Sequence, residues 1–195
     1  MPYPAGHKER VRERIVDSAR RLFNRHGFEQ TSIDQIMSEA GLTRGGFYHH
    51  FKSKDELYAA AVRSIRSCSL FAKELAITPP DVIENPRSLA RMLVDLYLSD
   101  AVLENEDLQC PLYALPSDVA RAGLKPRKAY TELVRGMAQV YRAALGKKPD
   151  AEQRANAIVS LCVGGMVLAR TTHDPALRRS LRAATHRQAL EMLGA

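Results

Sequence analysis

Apolar residues recur at helical intervals almost from end to end of the chain, and no segment alternates apolar with polar as a half-buried strand does. Val11, Ile15, Ala19, Leu22 and Phe23 form a stripe at i, i+4, i+8, i+11 and i+12, which predicts a helix from near His7 to Gly27, where a glycine suits the closing turn. Ile33, Ile36, Met37 and Ala40 mark a second, short helix, with the N-cap types Thr31 and Ser32 just ahead of it. Gly41 then supplies a turn, and Thr43 is placed to cap a third helix. In that helix Phe47 and Phe51 face inward, so Arg44, Gly45, Tyr48 and His49 turn to solvent. Ser53 caps a longer element whose first turn holds Asp55 and Glu56, and Leu57, Tyr58, Ala61, Val62, Ile65 and Cys68 carry its apolar face to about Leu75.

Prolines 79, 80 and 86 interrupt the pattern, after which it is again helical throughout. Leu89, Met92, Leu93, Leu96, Tyr97 and Val102 predict one helix, and Leu112, Leu115 and Val119 a short one. Tyr130, Leu133, Val134, Met137, Val140 and Tyr141 predict another, closed by Gly146 and Pro149, with further breaks at Pro126 and Pro175. The reading is all-α: an N-terminal three-helix helix-turn-helix, the layout of a DNA-binding domain, over residues 1–56 and a C-terminal helical bundle over residues 57–195. The boundary falls inside the long helix that begins near Ser53 rather than at a linker.

The segment from Arg44 to Lys54 carries the candidate chemistry. Arg-Gly-Gly-x-Tyr-His-His, followed by Lys52 and Lys54, offers donors and positive charge with no carboxylate before Asp55, a surface suited to phosphate oxygens. The paired Gly45 and Gly46 each cost about 1 kcal/mol relative to Ala in a helix, so close approach of another backbone is the better reason for them. Nearer the N-terminus, Lys8, Arg10, Arg12 and Arg14 read either as a solvated face interleaved with Glu9 and Glu13 or as a basic arm reaching DNA.

The string Gly41-Leu-Thr-Arg-Gly-Gly-Phe-Tyr-His-His-Phe-Lys-Ser-Lys-Asp-Glu-Leu57, with Gly27-Phe28 and Thr31-Ser-Ile ahead of it, resembles the DNA-binding signature of the TetR (tetracycline-repressor-like) family of bacterial regulators. Beyond it the resemblance extends only to length and helical pattern. It implies a homodimer on a palindromic, inverted-repeat operator, most simply a repressor released when a small-molecule effector enters the C-terminal domain; an activator is the alternative. By the motif match Thr31 or Ser32, with the nearby helix N-terminus, binds phosphate, as do Tyr48, His50 and Lys54, while Thr43 opens the recognition helix, Arg44 reads bases, and Gly45, Gly46 and His49 line the groove.

Composition adds limits. A net charge of +7 and a pI near 9.5 favour a polyanionic partner. No apolar run reaches membrane-spanning length and no leader pattern precedes the first helix, so the cytoplasm is the expected compartment, with no membrane partner. Three widely spaced cysteines suit a reducing environment and do not form a metal motif. Six histidines, none at zinc-protease spacing, lie mostly at helix ends or on the expected DNA face, so neither enzyme activity, a metal nor a cofactor is expected.

The run from Ile158 to Ala169 is apolar nearly all round, which asks for burial on two sides. A twofold dimer through the last two helices meets that need, using Val159, Val163, Gly164 and Val167 from one helix and Leu177, Leu181 and Leu190 from the next, with Gly165 also allowing close approach. For the effector, the family analogy points to the middle helices, where Met92, Tyr97, Tyr113 and Tyr130 are adaptable or polar. Met137, Tyr141, Cys162 and Met166 complete that candidate set together with Cys110. Cys110-Pro111 reads as a helix start, a setting that lowers a thiol pKa, and some TetR-like proteins with a similarly placed Cys-Pro respond to electrophiles. Glu106 and Asp107 oppose a thiolate there, and a buried structural cysteine is the other reading.

Overall fold

The computed structural model describes residues 6–68, 76–105 and 109–194; the proposed frayed N-terminal arm before Gly6, the stretch of the long helix beyond Cys68, and Glu106 and Asp107 lie outside them. Helix α1 (His7–Gln30) is interrupted at Gly27, whose φ of 77° is open to glycine at little cost. Helix α2 (Ile33–Glu39) is opened by a reciprocal capping box: Ser32 Oγ accepts from the Gln35 N–H while Gln35 accepts from the Ser32 N–H at 2.7 Å. Gly41 turns the chain at φ 65°.

The second half of the expected helix-turn-helix differs from the sequence reading. Arg44–His49 is a 3-10 helix, and Thr43 occupies the N-cap position without a side-chain hydrogen bond. Two adjacent glycines in six residues lower the return on an α-helix, and the tighter turn still satisfies the amides, with Gly46 N–H reaching Thr43 O at 3.0 Å. Phe47 and Phe51 are buried as expected, stacked at 5.9 Å. With Ile15, Ala19, Phe23, Ile36 and Met37 they form the core of the head.

Helix α3 (Lys54–Cys68) starts at Ser53, whose Oγ accepts from the Glu56 N–H. The prolines downstream open helices as well as break them: α4 (Pro80–Glu84) and α5 (Pro86–Tyr97) each have proline in the first turn, where the missing N–H costs nothing. Two single helices of the sequence reading are each two. Val102 belongs to α6 (Asp100–Glu104), capped by Ser99, and Leu112 and Val119 fall in α7 (Pro111–Ala114) and α8 (Pro116–Arg121), divided at Pro116. Pro126 breaks nothing, because it lies in the first turn of α9 (Leu124–Leu145). The chain ends in α10 (Ala151–Thr171) and α11 (Pro175–Leu193), packed along each other, and no strand occurs among the described residues.

Helix α9 packs on α3, α5 and α10 and so links the head to the body. It runs parallel to α3: a Cβ on Gly123 would lie 3.4 Å from Asp55 Oδ2, and further along Arg63 Nε donates to Glu132 at 2.9 Å.

Candidate nucleic-acid interface

The 3-10 helix presents Arg44, Gly45, Tyr48 and His49 outward over the buried Phe47 and Phe51. Tyr48 is 62% exposed and stands edge-on against the Phe47 ring. Gly45 faces open space, with nothing within 4 Å of where a Cβ would sit, whereas Gly46 rests on Met37 at ordinary contact distance. Only the first glycine therefore leaves room for an approaching surface.

Charge around this face is distributed differently from the sequence reading. Arg44 Nη1 donates to Asp34 Oδ2 at 2.7 Å, so α2 brings to the segment a carboxylate that is ten positions away in sequence. Both groups are more than half exposed, and such a pair is worth only about 0–1 kcal/mol. Thr31 is a correction. It is buried, and its hydroxyl donates to Gly27 O at 2.8 Å, closing the α1 kink from inside; only Ser32 of the two hydroxyl residues remains on the surface. Lys54 lies with its ammonium 4.2 Å over the Phe28 ring, and its pKa is lowered by desolvation.

The basic start of α1 divides between the two readings left open for it. Arg14 caps α2 by donating to Ala40 O, and Arg12 stacks on the Phe51 ring at 4.5 Å, so both hold the head together. Lys8 instead joins His7, Val11, Leu42, Gly46, His49 and His50 around a cleft of about 370 Å³ on the face of the recognition segment. His50 Nδ1 is buried without a partner, and the imidazole pKa is lowered, first by desolvation and then by the cations Lys8 and Arg12 and the neighbouring His49 and His7.

The family model for the bacterial regulatory proteins of the tetR family matches residues 15–61, which span α1 from Ile15, α2, the 3-10 helix and the first turns of α3. Residues 15–61 thus form a head of the tetR regulatory-protein type. Among relatives, the uncharacterized HTH-type transcriptional regulator YerO of Bacillus subtilis is 31% identical over 116 residues, 52% of this chain and 40% of that protein. YxaF, another uncharacterized regulator of that organism, is 26% identical over 84% of this chain and 86% of its own length. The match to the first of these thus spans less than half of the relative. A TetR-family regulator from Agrobacterium tumefaciens superposes with a TM-score of 0.74 at 20% identity, over 95% of this chain and 98% of that one, a likeness of fold.

Behind the TetR head, the body gathers most of the residues named for an effector. Tyr97 and Tyr113 meet edge-on at 5.7 Å, Tyr113 donates to Val102 O at 3.1 Å, and Tyr130 to Leu112 O at 2.7 Å. Tyr97 lies against the Cys110 thiol and Tyr141 against Cys162, with Met166 buried in the same core. Met137 is half-buried on its edge, while Met92 sits apart, facing a surface cleft with Ser88, Arg91, Asp95 and Leu96. Cys110 is buried, as in the second of its two readings, and its pKa is not lowered. The Leu112 amide does support the thiolate, but burial outweighs it and pushes the thiol up to about 11. A four-residue α7 has too short a dipole to reverse that. Burial likewise pushes Cys162 to about 12.

Sequence reasoning missed the contacts between head and body. Asn24 Nδ2 donates to Gln109 O at 3.0 Å, next to Cys110, and the Phe28 N–H donates to Asp118 Oδ2 at 3.2 Å. Arg170, at the end of α10, donates to Asn24 O at 3.2 Å and to Ala114 O at 3.3 Å. Asn24, a polar residue on the buried face of α1, was the available signal, since a buried polar group needs a partner.

Of the expected dimer residues, Val159 is buried within the chain, and Val163, Val167 and Leu190 are half-buried against its own core. Gly165 is spent internally, because a Cβ there would meet Thr185 Oγ1 at 2.5 Å. The outward surface of the two helices includes Leu161, Gly164 and Leu168 on α10 with Leu177, Leu181 and Ala184 on α11, among exposed polar residues such as Ser160, Ser180 and Arg187; Leu168 is 53% and Leu177 48% exposed. No helix among the described residues is long and apolar enough to cross a membrane.

Proposed function

We propose that the protein is a ligand-responsive transcriptional regulator that binds an inverted-repeat DNA operator as a homodimer. The observation that carries this reading is the outward face Arg44, Gly45, Tyr48 and His49 held on buried Phe47 and Phe51, with Ser32, Lys54 and Lys8 at its borders. Arg44 reads a base in the major groove, while Ser32, Tyr48, His50 and Lys54 hold phosphates. Thr43, exposed at the start of the segment, adds a further hydroxyl, and Gly46 and His49 border the groove.

The outward face of α10 and α11 provides the second copy's seat: Gly164 lets backbones approach, and Leu168 and Leu177 lose their exposure to water. An effector enters the cluster of Tyr97, Tyr113, Tyr130, Tyr141 and the two buried cysteines. Its entry shifts Gln109 and Asp118, which grip the head at Asn24 and Phe28, and so changes the spacing of the two heads. Repression is the simpler outcome, because a dimer occupying a promoter blocks access to it.

The test is selection of duplexes from a random library by the full-length protein, followed by binding to the selected duplex and to random DNA. An inverted repeat with half-sites about 10 bp apart, centre to centre, is the expected product. Recovery of no sequence preference would overturn the reading.

A further inference from the structure

Helices α3 and α9 begin at the same end of the molecule. Asp55 and Gly123 adjoin at their first turns, and Arg63 and Glu132 pair further along both. Lys54, the residue before Asp55, covers the Phe28 ring, and the Phe28 amide is held by Asp118, itself paired with Arg121 at 3.0 Å. The α8–α9 turn of the body therefore adjoins the border of the recognition face. Its charge is unspent: Lys125 and Lys128 are exposed and make no salt bridge among the described residues. They share a line of α9 with Glu132 at i, i+3 and i+7, and since Glu132 reaches Arg63, that line faces the α3 flank. Of the charges nearby, Asp118 and Arg121 are paired with each other, which leaves Asp55 and Glu29 against Lys54, Lys125 and Lys128. The positive end of the α9 dipole adds to the excess.

We propose that Lys125 and Lys128 form a second row of DNA-backbone contacts, gripping phosphates that the helix-turn-helix itself does not touch. The body thus binds DNA directly as well as positioning the heads. The inference rests on the DNA-binding reading above. Because phosphate contacts carry no base information, the row strengthens binding to every sequence alike and makes it more dependent on salt. It also ties the sensing body to the duplex, since α8 carries the Asp118 contact and leads directly into α9.

The experiment compares the full-length protein with Lys125→Ala/Lys128→Ala and Lys125→Arg/Lys128→Arg, using a duplex selected by the unmodified protein and a random duplex of equal length. The alanine pair is expected to lose affinity about 5- to 20-fold on both duplexes at low salt, with the slope of log affinity against log salt smaller by about 1–2. Hydroxyl-radical protection of the backbone contracts by a few positions while the selected sequence stays the same, and the arginine pair behaves as the unmodified protein. Unchanged affinity and slope in the alanine pair overturn the proposal, as does an equal loss in the arginine pair, because charge is then not the cause. Failure of the unmodified protein to bind either duplex is a different result, and it removes the DNA-binding reading itself.

Discussion

The carboxylate of Asp118, in the body, accepts a hydrogen bond from the backbone N–H of Phe28, 3.2 Å away in the head, at the point where Gly27 interrupts the first helix. An amide freed by a helix break is thus satisfied from the other half of the molecule. Asn24, one turn earlier, makes the second such link through Gln109 O, beside Cys110, while Asp118 lies beyond α7 on α8.

Removing that acceptor should loosen the head. Asp118→Ala is expected to cost about 1–2 kcal/mol in denaturant unfolding, the range for a buried amide left unpaired, and Asp118→Asn less because an acceptor oxygen remains. Gly27→Ala should cost more than a further 1 kcal/mol, since φ is 77° and the added Cβ would lie 2.8 Å from Asp118 Oδ2. Equal stability of Gly27→Ala and the unmodified protein would contradict the geometry.

Arg44 and Lys54 should separate base reading from phosphate holding. Arg44→Ala is expected to relax preference at one base pair, by about 1–3 kcal/mol of discrimination, and Lys54→Ala to weaken all sequences by one factor. Asp34→Ala frees Arg44 and removes a carboxylate from the DNA face, so affinity should rise on cognate and random duplexes alike. Binding titrations with both duplexes decide each case.

Thr31 and Ser32 should fail in different ways. Thr31→Ala removes an inward hydroxyl and is expected to lower stability by about 1 kcal/mol without changing the salt slope of DNA binding. Ser32→Ala removes both the cap, worth about 1 kcal/mol, and a surface donor, so stability and DNA affinity fall together.

Two pH windows follow from burial. The His50 pKa is lowered from 6.5 in the folded state, so the unfolded chain takes the proton first; stability is complete above about 6.5 and falls as pH drops below it. His50→Gln should flatten that acid limb in thermal melts. Cys110 and Cys162 shift the other way, from 9.0 to about 11 and about 12, so the unfolded chain ionises first and stability falls as pH rises above about 9. Alkylation of the native protein at neutral pH should be slower than that of the unfolded chain, and rapid labelling of Cys110 in the native state would contradict its burial.

The outward leucines should control assembly. Leu168→Glu with Leu177→Glu is expected to yield monomers by sedimentation while the helical content is retained, with DNA affinity lost because one head alone grips half a site.

Periodicity and turn chemistry determined the helical class, a break at Gly27 though not the helical turn beyond it, the Ser32 cap, the Gly41 turn and the burial of Phe47 and Phe51. Those features depend on residues within a few positions of each other, and spacing along the chain records such relations directly. Tertiary structure decided the rest. Thr31 turned inward because the kink left Gly27 O to be satisfied, and Arg44 found Asp34 because the Gly41 turn folds α2 back beside the recognition segment. The thiol of Cys110 rose because desolvation is set by neighbours from distant helices and outweighs one local amide. The joining of head to body through Asn24, Phe28, Asp118 and Arg170 belongs to the same class, since hydrogen bonds between groups 85 to 146 positions apart leave no period in a sequence.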